Sequence, residues 1–386
     1  MRIGIISETW PPEINGVALT VHGLAVGLAA RGHGIDLVRP RQPQPGAGAD
    51  GMDEMLTRGF ALPHYPGVRL GLPATRALRH RWERQRPDVV YIATEGPLGG
   101  SALRVARRLG IPAATGFHTR FDHYAGHYGL GWATPLVRAY LRRFHRRAAA
   151  TLVPTAALGA ELATLGVDNV RLLRRAVDTR LFHPDRRDPV LRARWGAGED
   201  TPVVLYLGRI AAEKNLALAV RAFEALRQEA PAARFVWVGD GPERAALQAA
   251  HPDYVFTGMQ VGEALARHVA SADLFPFPSL SETFGNVVLE ALAAGVALVA
   301  FDTGAAHEHL RDGVGGARIA PGDADAFVRA TVRLGANPAR LRRMRRAARG
   351  SMAQLSPDAV VREFETLLHE LAGEPDHAHH VLAARA

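Results

Sequence analysis

Short apolar runs alternate with longer stretches of helical periodicity along most of this chain, and that rhythm restricts the fold more than any single residue does. In the first half the runs are Ile3–Ser7, Ile35–Arg39, Val89–Thr94, Ala113–Phe117 and Thr151–Pro154, with a helical stretch from Asn15 to Ala30 between the first two. In the second half they are Val203–Leu207, Phe235–Val238, Val255–Thr257, Leu274–Phe277 and Ala297–Phe301. Runs this apolar read as strands buried on both faces, and strands joined through helices run parallel. The expected fold class is therefore α/β, with two Rossmann-like, doubly wound parallel sheets. The rhythm stops once, from Asp178 to Asp200, where Pro184, Pro189, Gly196 and Gly198 mix with charges. A linker there gives domains at 1–178 and 179–371, followed by a His- and Ala-rich tail at 372–386, and 386 residues suit two cores better than one. Gln42 to Gly51, rich in Gly, Pro and Gln, reads as a surface loop.

The chain contains no cysteine, which removes disulfides, thiol nucleophiles and cysteine-ligated metals and fits a cytoplasmic address. The apolar start at Met1–Ser7 is too short for a signal peptide, and the longer stretch Ala148–Val167 is broken by Pro154 and Glu161, so no transmembrane helix is expected. The net charge of +9 is unevenly spread: residues 1–178 hold 23 arginines against 13 acidic residues. That asymmetry suits an anionic membrane surface as partner of the first domain, and it also suits a simple preference for arginine. In Pro135–Arg147, Leu136, Tyr140, Leu141 and Phe144 share a helical face while Arg138, Arg142, Arg143, Arg146 and Arg147 lie mostly elsewhere. Such a helix can lie on a bilayer or pack on a sheet.

Arginine supplies 46 of the 47 basic residues, and the one lysine, Lys214, follows the strand Val203–Leu207 in Gly208-Arg209-Ile210-Ala211-Ala212-Glu213-Lys214-Asn215. A compact ammonium on a flexible stem suits a departing diphosphate, and a solvated lysine at a helix start fits the same position. Strand one runs into Glu8-Thr9-Trp10-Pro11-Pro12, so the G-x-G-x-x-G fingerprint of hydride-transfer enzymes is missing. Asn15-Gly16-Val17 instead opens the first long helix, either as a close approach for an anion or as an ordinary turn. The segment from Ser281 to Leu292 follows the strand Leu274–Phe277 and opens a helix, with Thr283 or Ser281 as candidate cap and the amides of Phe284, Gly285 and Asn286 aimed outward as an anion site. Glu290, inside an apolar run, needs a partner, and a ribose diol can supply one. The lone Asp-x-Asp, Asp323-Ala324-Asp325, precedes a helical run and reads as a cap, so no metal site is expected.

Taken in order, Gly208-Arg209 with Lys214-Asn215, Val238-Gly239-Asp240-Gly241-Pro242-Glu243, and the glutamates Glu282 and Glu290 spaced by seven resemble glycosyltransferase family 4, retaining enzymes of the GT-B fold. Glu8 to Gly16 and Gly116-Phe117-His118-Thr119-Arg120-Phe121-Asp122 are similar to its bacterial, lipid-directed mannosyl and glucosyl members. The resemblance implies transfer of a hexose, mannose from GDP-mannose or glucose from UDP-glucose, in a cleft between the domains. It implies a lipid or glycolipid acceptor at the cytoplasmic membrane face, no metal or other cofactor, and no nucleic acid. By the same resemblance Arg209 and Lys214 grip the diphosphate beside Gly208, Gly16 closes on it, and Glu290 holds the ribose. Glu282, Phe284, Gly285, Asn286 and Val287 meet the donor sugar and phosphate. His118, which on its own reads as a structural histidine, approaches the reacting sugar, and Asp122 the acceptor. One segment departs: where the family usually has Gly-Gly-x-Pro-Glu, this chain has Thr303-Gly304-Ala305-Ala306-His307-Glu308. Two other classes remain open on the sequence, a sugar-nucleotide epimerase of the same fold and a basic membrane- or nucleic-acid-binding protein without turnover.

Overall fold

The computed structural model describes residues 1–13, 15–42, 51–62, 65–118, 134–280, 282–352 and 355–373. The chain divides into two compact units, one formed by Met1–Arg175 with the chain from Pro357 onward, the other by Ala176–Ser356.

The first unit holds β1 (Arg2–Ile6), β2 (Gly34–Pro40), β3 (Asp53–Thr57), a hairpin of β4 (Gly59–Leu62) and β5 (Tyr65–Gly71), then β6 (Val89–Ile92), β7 (Ala113–Gly116), β8 (Ala150–Val153) and β9 (Val170–Leu172). Seven of these form a parallel sheet in the order β3-β2-β1-β6-β7-β8-β9. Alternate residues of the central strands feed two cores. Ile3, Ile5 and Tyr91 pack with Val21, Leu24 and Leu28 of the helix Gly16–Ala30, while Ile6, Val90 and Ile92 pack with Leu78, Trp82, Leu98 and Leu103 on the opposite face.

The second unit repeats the scheme with β10 (Val203–Leu207), β11 (Arg234–Val238), β12 (Val255–Gly258), β13 (Leu274–Phe277), β14 (Ala297–Phe301) and β15 (Gly316–Ile319). Their order, β12-β11-β10-β13-β14-β15, is again parallel throughout. In both sheets the strand order reverses beside the first strand, which is where doubly wound folds bind ligands, outside the carboxyl ends of the strands.

Two boundaries differ from the sequence reading. The last helix, Pro357–Ala372, was expected with the second domain and instead belongs to the first unit, where Val360, Phe364 and Leu368 complete the core around β1 and β6. An apolar helical stripe reads the same whichever sheet it covers, so only the close fit shows the difference: a Cβ at Gly27 would stand 2.4 Å from a methyl of Val361. The expected linker, Asp178–Asp200, is likewise part of the second unit, with Phe182 and Trp195 in its core. Its prolines and charges build tight caps, Asp188 accepting from the amides of Val190 and Leu191 at 2.8 and 3.1 Å to start the helix Pro189–Arg194. Five strands had no expectation: β3, β9 and β15 lie at sheet edges, and β4 and β5 form a separate two-stranded sheet, so none of them carries the continuous apolar run that marks a central strand. The surface loop expected at Gln42–Gly51 falls mostly outside the described residues, as does the tail beyond residue 373.

The basic segment forms the helix Thr134–His145, and its apolar face splits. Leu141 and Phe144 are buried in the unit, whereas Leu136 and Tyr140 are 67% and 46% exposed. No helix among the described residues is long and apolar enough to cross a membrane.

The glycine-rich turn after β11 has a packing cause. Ile210 donates its amide to Asp240 O at 2.9 Å and accepts from Glu243 N at 3.1 Å, so the turn after β10 lies directly against it. A Cβ on Gly239 would stand 2.0 Å from Gly208 O, and one on Gly241 2.2 Å from Ile210 O. Gly239 also has φ 140°, a region L side chains rarely adopt. Gly239→Ala is expected to destabilise the second unit by about 1–3 kcal/mol, read as a lowered denaturation midpoint with unchanged secondary structure.

Candidate active site

In the second unit the carboxyl ends of β10 and β13 flank the point where strand order reverses. After β10 the chain turns through Gly208 (φ 141°) and Arg209, forms a single 3₁₀ turn at Ala212–Lys214, and enters the helix Leu216–Glu229 through Asn215 in the left-handed region (φ 56°). Ile210 and Ala211 are buried and anchor this turn, while Tyr206 Oη donates to Arg209 O at 2.7 Å. Lys214 Nζ donates to Glu282 Oε1 at 2.6 Å and Asn215 Nδ2 to Pro278 O at 3.3 Å, so two bonds tie the loops after β10 and β13 together. Arg209 Nη1 stands 3.5 Å from Glu213 Oε1. Both expected phosphate-binding cations therefore sit at the strand ends, each beside a carboxylate.

The loop after β13 leads into the helix Asn286–Ala293. The expected cap at Thr283 or Ser281 is not the one found: Gly285 occupies the cap position with φ 94° and no side chain caps the helix, while Ser281 lies outside the described residues. A left-handed cap favours glycine, and a helix start without a side-chain acceptor leaves its first amides, those of Asn286 and Val287, available to an anion. Phe284 is buried, and its carbonyl accepts from Ala305 N at 2.7 Å. Glu290 stands one turn into the helix, and desolvation pushes its carboxyl up to about 7. Among the described residues no donor reaches it. A diol delivering two hydroxyl protons would favour its ionised form.

The departing segment, Thr303–Glu308, begins the helix Gly304–His309. Gly304 has φ 52°, and a Cβ there would stand 2.5 Å from Phe284 O. His307, at the position where the family usually has proline, places Nδ1 2.9 Å from Asp302 Oδ1, to which Arg318 also approaches at 3.2 Å. Asp323 accepts from Ala326 N at 2.8 Å as a cap and Asp325 pairs with Arg221, so both acids of the Asp-x-Asp are engaged structurally.

In the first unit Asn15 caps the helix that Gly16 begins, its Oδ1 accepting from Val17 N at 3.1 Å and Ala18 N at 2.8 Å. His118 follows β7 and is buried. Arg175 donates to its Nδ1, and Nε2 lies 2.6 Å from Tyr91 Oη. A guanidinium only donates, so Nδ1 accepts and the ring proton rests on Nε2. Burial, then the Arg175 charge, hold the imidazole well below its ordinary pKa, and it is neutral. Gly116 makes room for this pair: a Cβ there would fall 2.4 Å from Nε2. Asp122 lies outside the described residues.

Sequence reasoning missed Tyr91, Arg175 and the buried acids at the end of β1 and β6. Glu8 accepts from Leu98 N at 2.9 Å and Gly99 N at 3.3 Å, and Glu95 stands 3.4 Å from His145 Nε2. Arg175 looked like one more arginine of the basic half, and nothing local marks it as buried.

The comparisons agree with this architecture. Residues 14–181 match Glycosyltransferase Family 4 and residues 201–337 match Glycosyl transferases group 1. A GDP-mannose-dependent alpha-mannosyltransferase of Mycobacterium tuberculosis is 36% identical across 79% of this chain and 80% of its own length. An alpha-monoglucosyldiacylglycerol synthase of Acholeplasma laidlawii is 26% identical across 96% and 97%. Among solved structures, a sucrose-phosphate synthase of Thermosynechococcus elongatus superposes with a TM-score of 0.78 at 19% identity, covering 96% of this chain and 98% of that one. With two parallel doubly wound units, relatives of this identity and coverage, and both family matches in order, the chain belongs to glycosyltransferase family 4 and is a glycosyltransferase of the GT-B fold.

Proposed function

We propose that this glycosyltransferase moves mannose from GDP-mannose to a lipid or glycolipid acceptor, with retained anomeric configuration and no catalytic metal. The observation that carries the donor half is the bond of Lys214 to Glu282 across the loops after β10 and β13, with Arg209 in the first of these loops and the desolvated Glu290 in the helix that follows the second. Two cations and the uncapped start of the helix Asn286–Ala293 meet a diphosphate, and the carboxylate of Glu290 meets a ribose. With that positive charge supplied by the chain, the departing phosphate is stabilised as it takes the electron pair of the glycosidic bond. The acceptor hydroxyl then attacks from the same face, passing its proton to that phosphate.

Mannose is favoured by the relative named for GDP-mannose, and the glucosyl relative makes a UDP-sugar donor the second reading. The acceptor reading draws on the same names and on the first unit, where the exposed Leu136 and Tyr140 stand among the exposed Arg138, Arg142 and Arg143. The exposed Leu136 and the outer ring face of Tyr140, whose hydroxyl turns back to Glu95 O, suit the anionic inner face of a membrane when flanked by arginines, and on this reading the chain acts as a peripheral protein on the cytoplasmic side.

Thermal unfolding in excess EDTA with saturating GDP, UDP, ADP or CMP tests the donor. A ligand at about 100 times its dissociation constant stabilises by roughly 2.7 kcal/mol, a shift of several degrees. GDP alone is expected to shift the midpoint. A shift with UDP alone would replace the donor, and none with any nucleotide would overturn the proposal.

A further inference from the structure

The helix Pro357–Ala372 carries Glu365 and His369 one turn apart on one face, and His33, in the turn before β2, stands opposite them in the same unit. One ligand atom from each of the three lies within 4.8 Å of the others. His33 Nε2 is 2.7 Å from Glu365 Oε1, and the His369 ring centroid is 5.7 Å from that of His33. An ion pair between His33 and Glu365 does not require a second imidazole at its side. We propose that His33, Glu365 and His369 form a structural site for a divalent transition metal of the zinc class, separate from the sugar-transfer residues.

The surrounding contacts assign the ligand atoms. Arg31 Nε holds Glu365 Oε2 at 2.6 Å, which fixes the carboxylate and leaves Oε1 for the ion. His33 Nδ1 faces the Met1 amino nitrogen, a donor, at 3.4 Å, so Nδ1 accepts and Nε2 carries the proton that now points at Oε1. Metal binding releases that proton to solvent and puts the ion in its place. Zinc–nitrogen and zinc–oxygen bonds of about 2.0–2.2 Å separate tetrahedral ligands by roughly 3.3 Å, so the pair parts by about half an ångström and His369 turns in as third ligand. Water completes the shell. Two imidazoles and a carboxylate suit zinc far better than magnesium or calcium, which take oxygen ligands.

The site pins the turn before β2 to the helix that returns from the far end of the chain. That helix also sets Phe364 edge-on against Tyr91 at 4.9 Å, and Tyr91 in turn holds His118. The ion's role is to fix this backing helix.

Zinc titration of the EDTA-stripped, desalted full chain tests the proposal, read by stoichiometry and unfolding midpoint. His377, His379 and His380 of the tail can bind zinc on their own account, so the titration uses the chain carrying His377→Ala, His379→Ala and His380→Ala. One zinc per chain and a midpoint raised by several degrees are expected there. Adding His369→Gln, which leaves the His33–Glu365 pair in place, is expected to abolish the shift, each midpoint being read against that of the same variant without metal. Absence of a one-equivalent shift in the tail variant, or its survival in His369→Gln, would overturn the site.

Discussion

Replacing Lys214 with alanine lowers kcat by a factor of about 10² to 10³, with a smaller change in donor KM. The expectation follows from where charge develops. The diphosphate carries its extra negative charge only as the sugar departs, so a cation preorganised at that position lowers the barrier more than it tightens binding. Lys214 is preorganised by the 3₁₀ turn it closes and by Glu282, whose carboxylate holds Nζ at 2.6 Å. Lys214→Arg separates charge from geometry: a planar fork restores the charge but not a point donor on a flexible stem, so it recovers part of the loss only. Turnover of the donor that stabilises the chain, measured at saturation for both variants, decides the matter. A Lys214→Ala enzyme with near-wild-type kcat would remove Lys214 from the reaction. Loss of the nucleotide-free unfolding midpoint would instead mark it as structural.

The meeting of Lys214 with Glu282 rests on two local segments. Gly208 to Asn215 is one turn after one strand, and Glu282 to Glu290 is one loop and one helix, so strand periodicity suffices to expect both at strand ends. The same locality misled on the cap of the helix Asn286–Ala293. Thr283 has the right chemistry and stands close by, but Gly285 takes a left-handed conformation that Thr would resist, and the helix starts there.

The first unit shows the opposite case. His118 meets Arg175 from 57 positions away and Tyr91 from 27, and no periodicity links them. Hence a histidine that reads in isolation as structural is indeed buried and doubly bonded, and its neutral state is set by an arginine that the composition counts as surface charge. The returning helix is the same lesson at the scale of a domain: its stripe of Val360, Val361, Phe364 and Leu368 predicts burial but not against which sheet.

Glu8 meets its partners across a longer separation than His118 does and carries the second large effect. It sits just beyond β1, buried, and accepts from the amides of Leu98 and Gly99, 90 and 91 positions on, at the start of the helix Pro97–Arg108. The fit depends on Gly96, where a Cβ would fall 2.0 Å from Glu8 Oε2. Desolvation outweighs those two bonds and raises the carboxyl from 4.5 to about 7, with the Glu95 charge adding to the rise. A folded pKa above the unfolded one means the folded state binds the extra proton, so the stabilising contribution is complete below pH 4.5 and is lost as pH climbs to 7. The difference corresponds to about 3 kcal/mol. Glu8→Gln keeps an accepting oxygen and cannot ionise, so its stability relative to the parent is expected to rise by that amount between pH 4.5 and 7 and to level off above. Urea midpoints of both proteins across that range measure it, and His118 cancels because both retain it. A constant difference across the range would mean that Glu8 stays ionised in the fold and that the helix start, not burial, sets its charge.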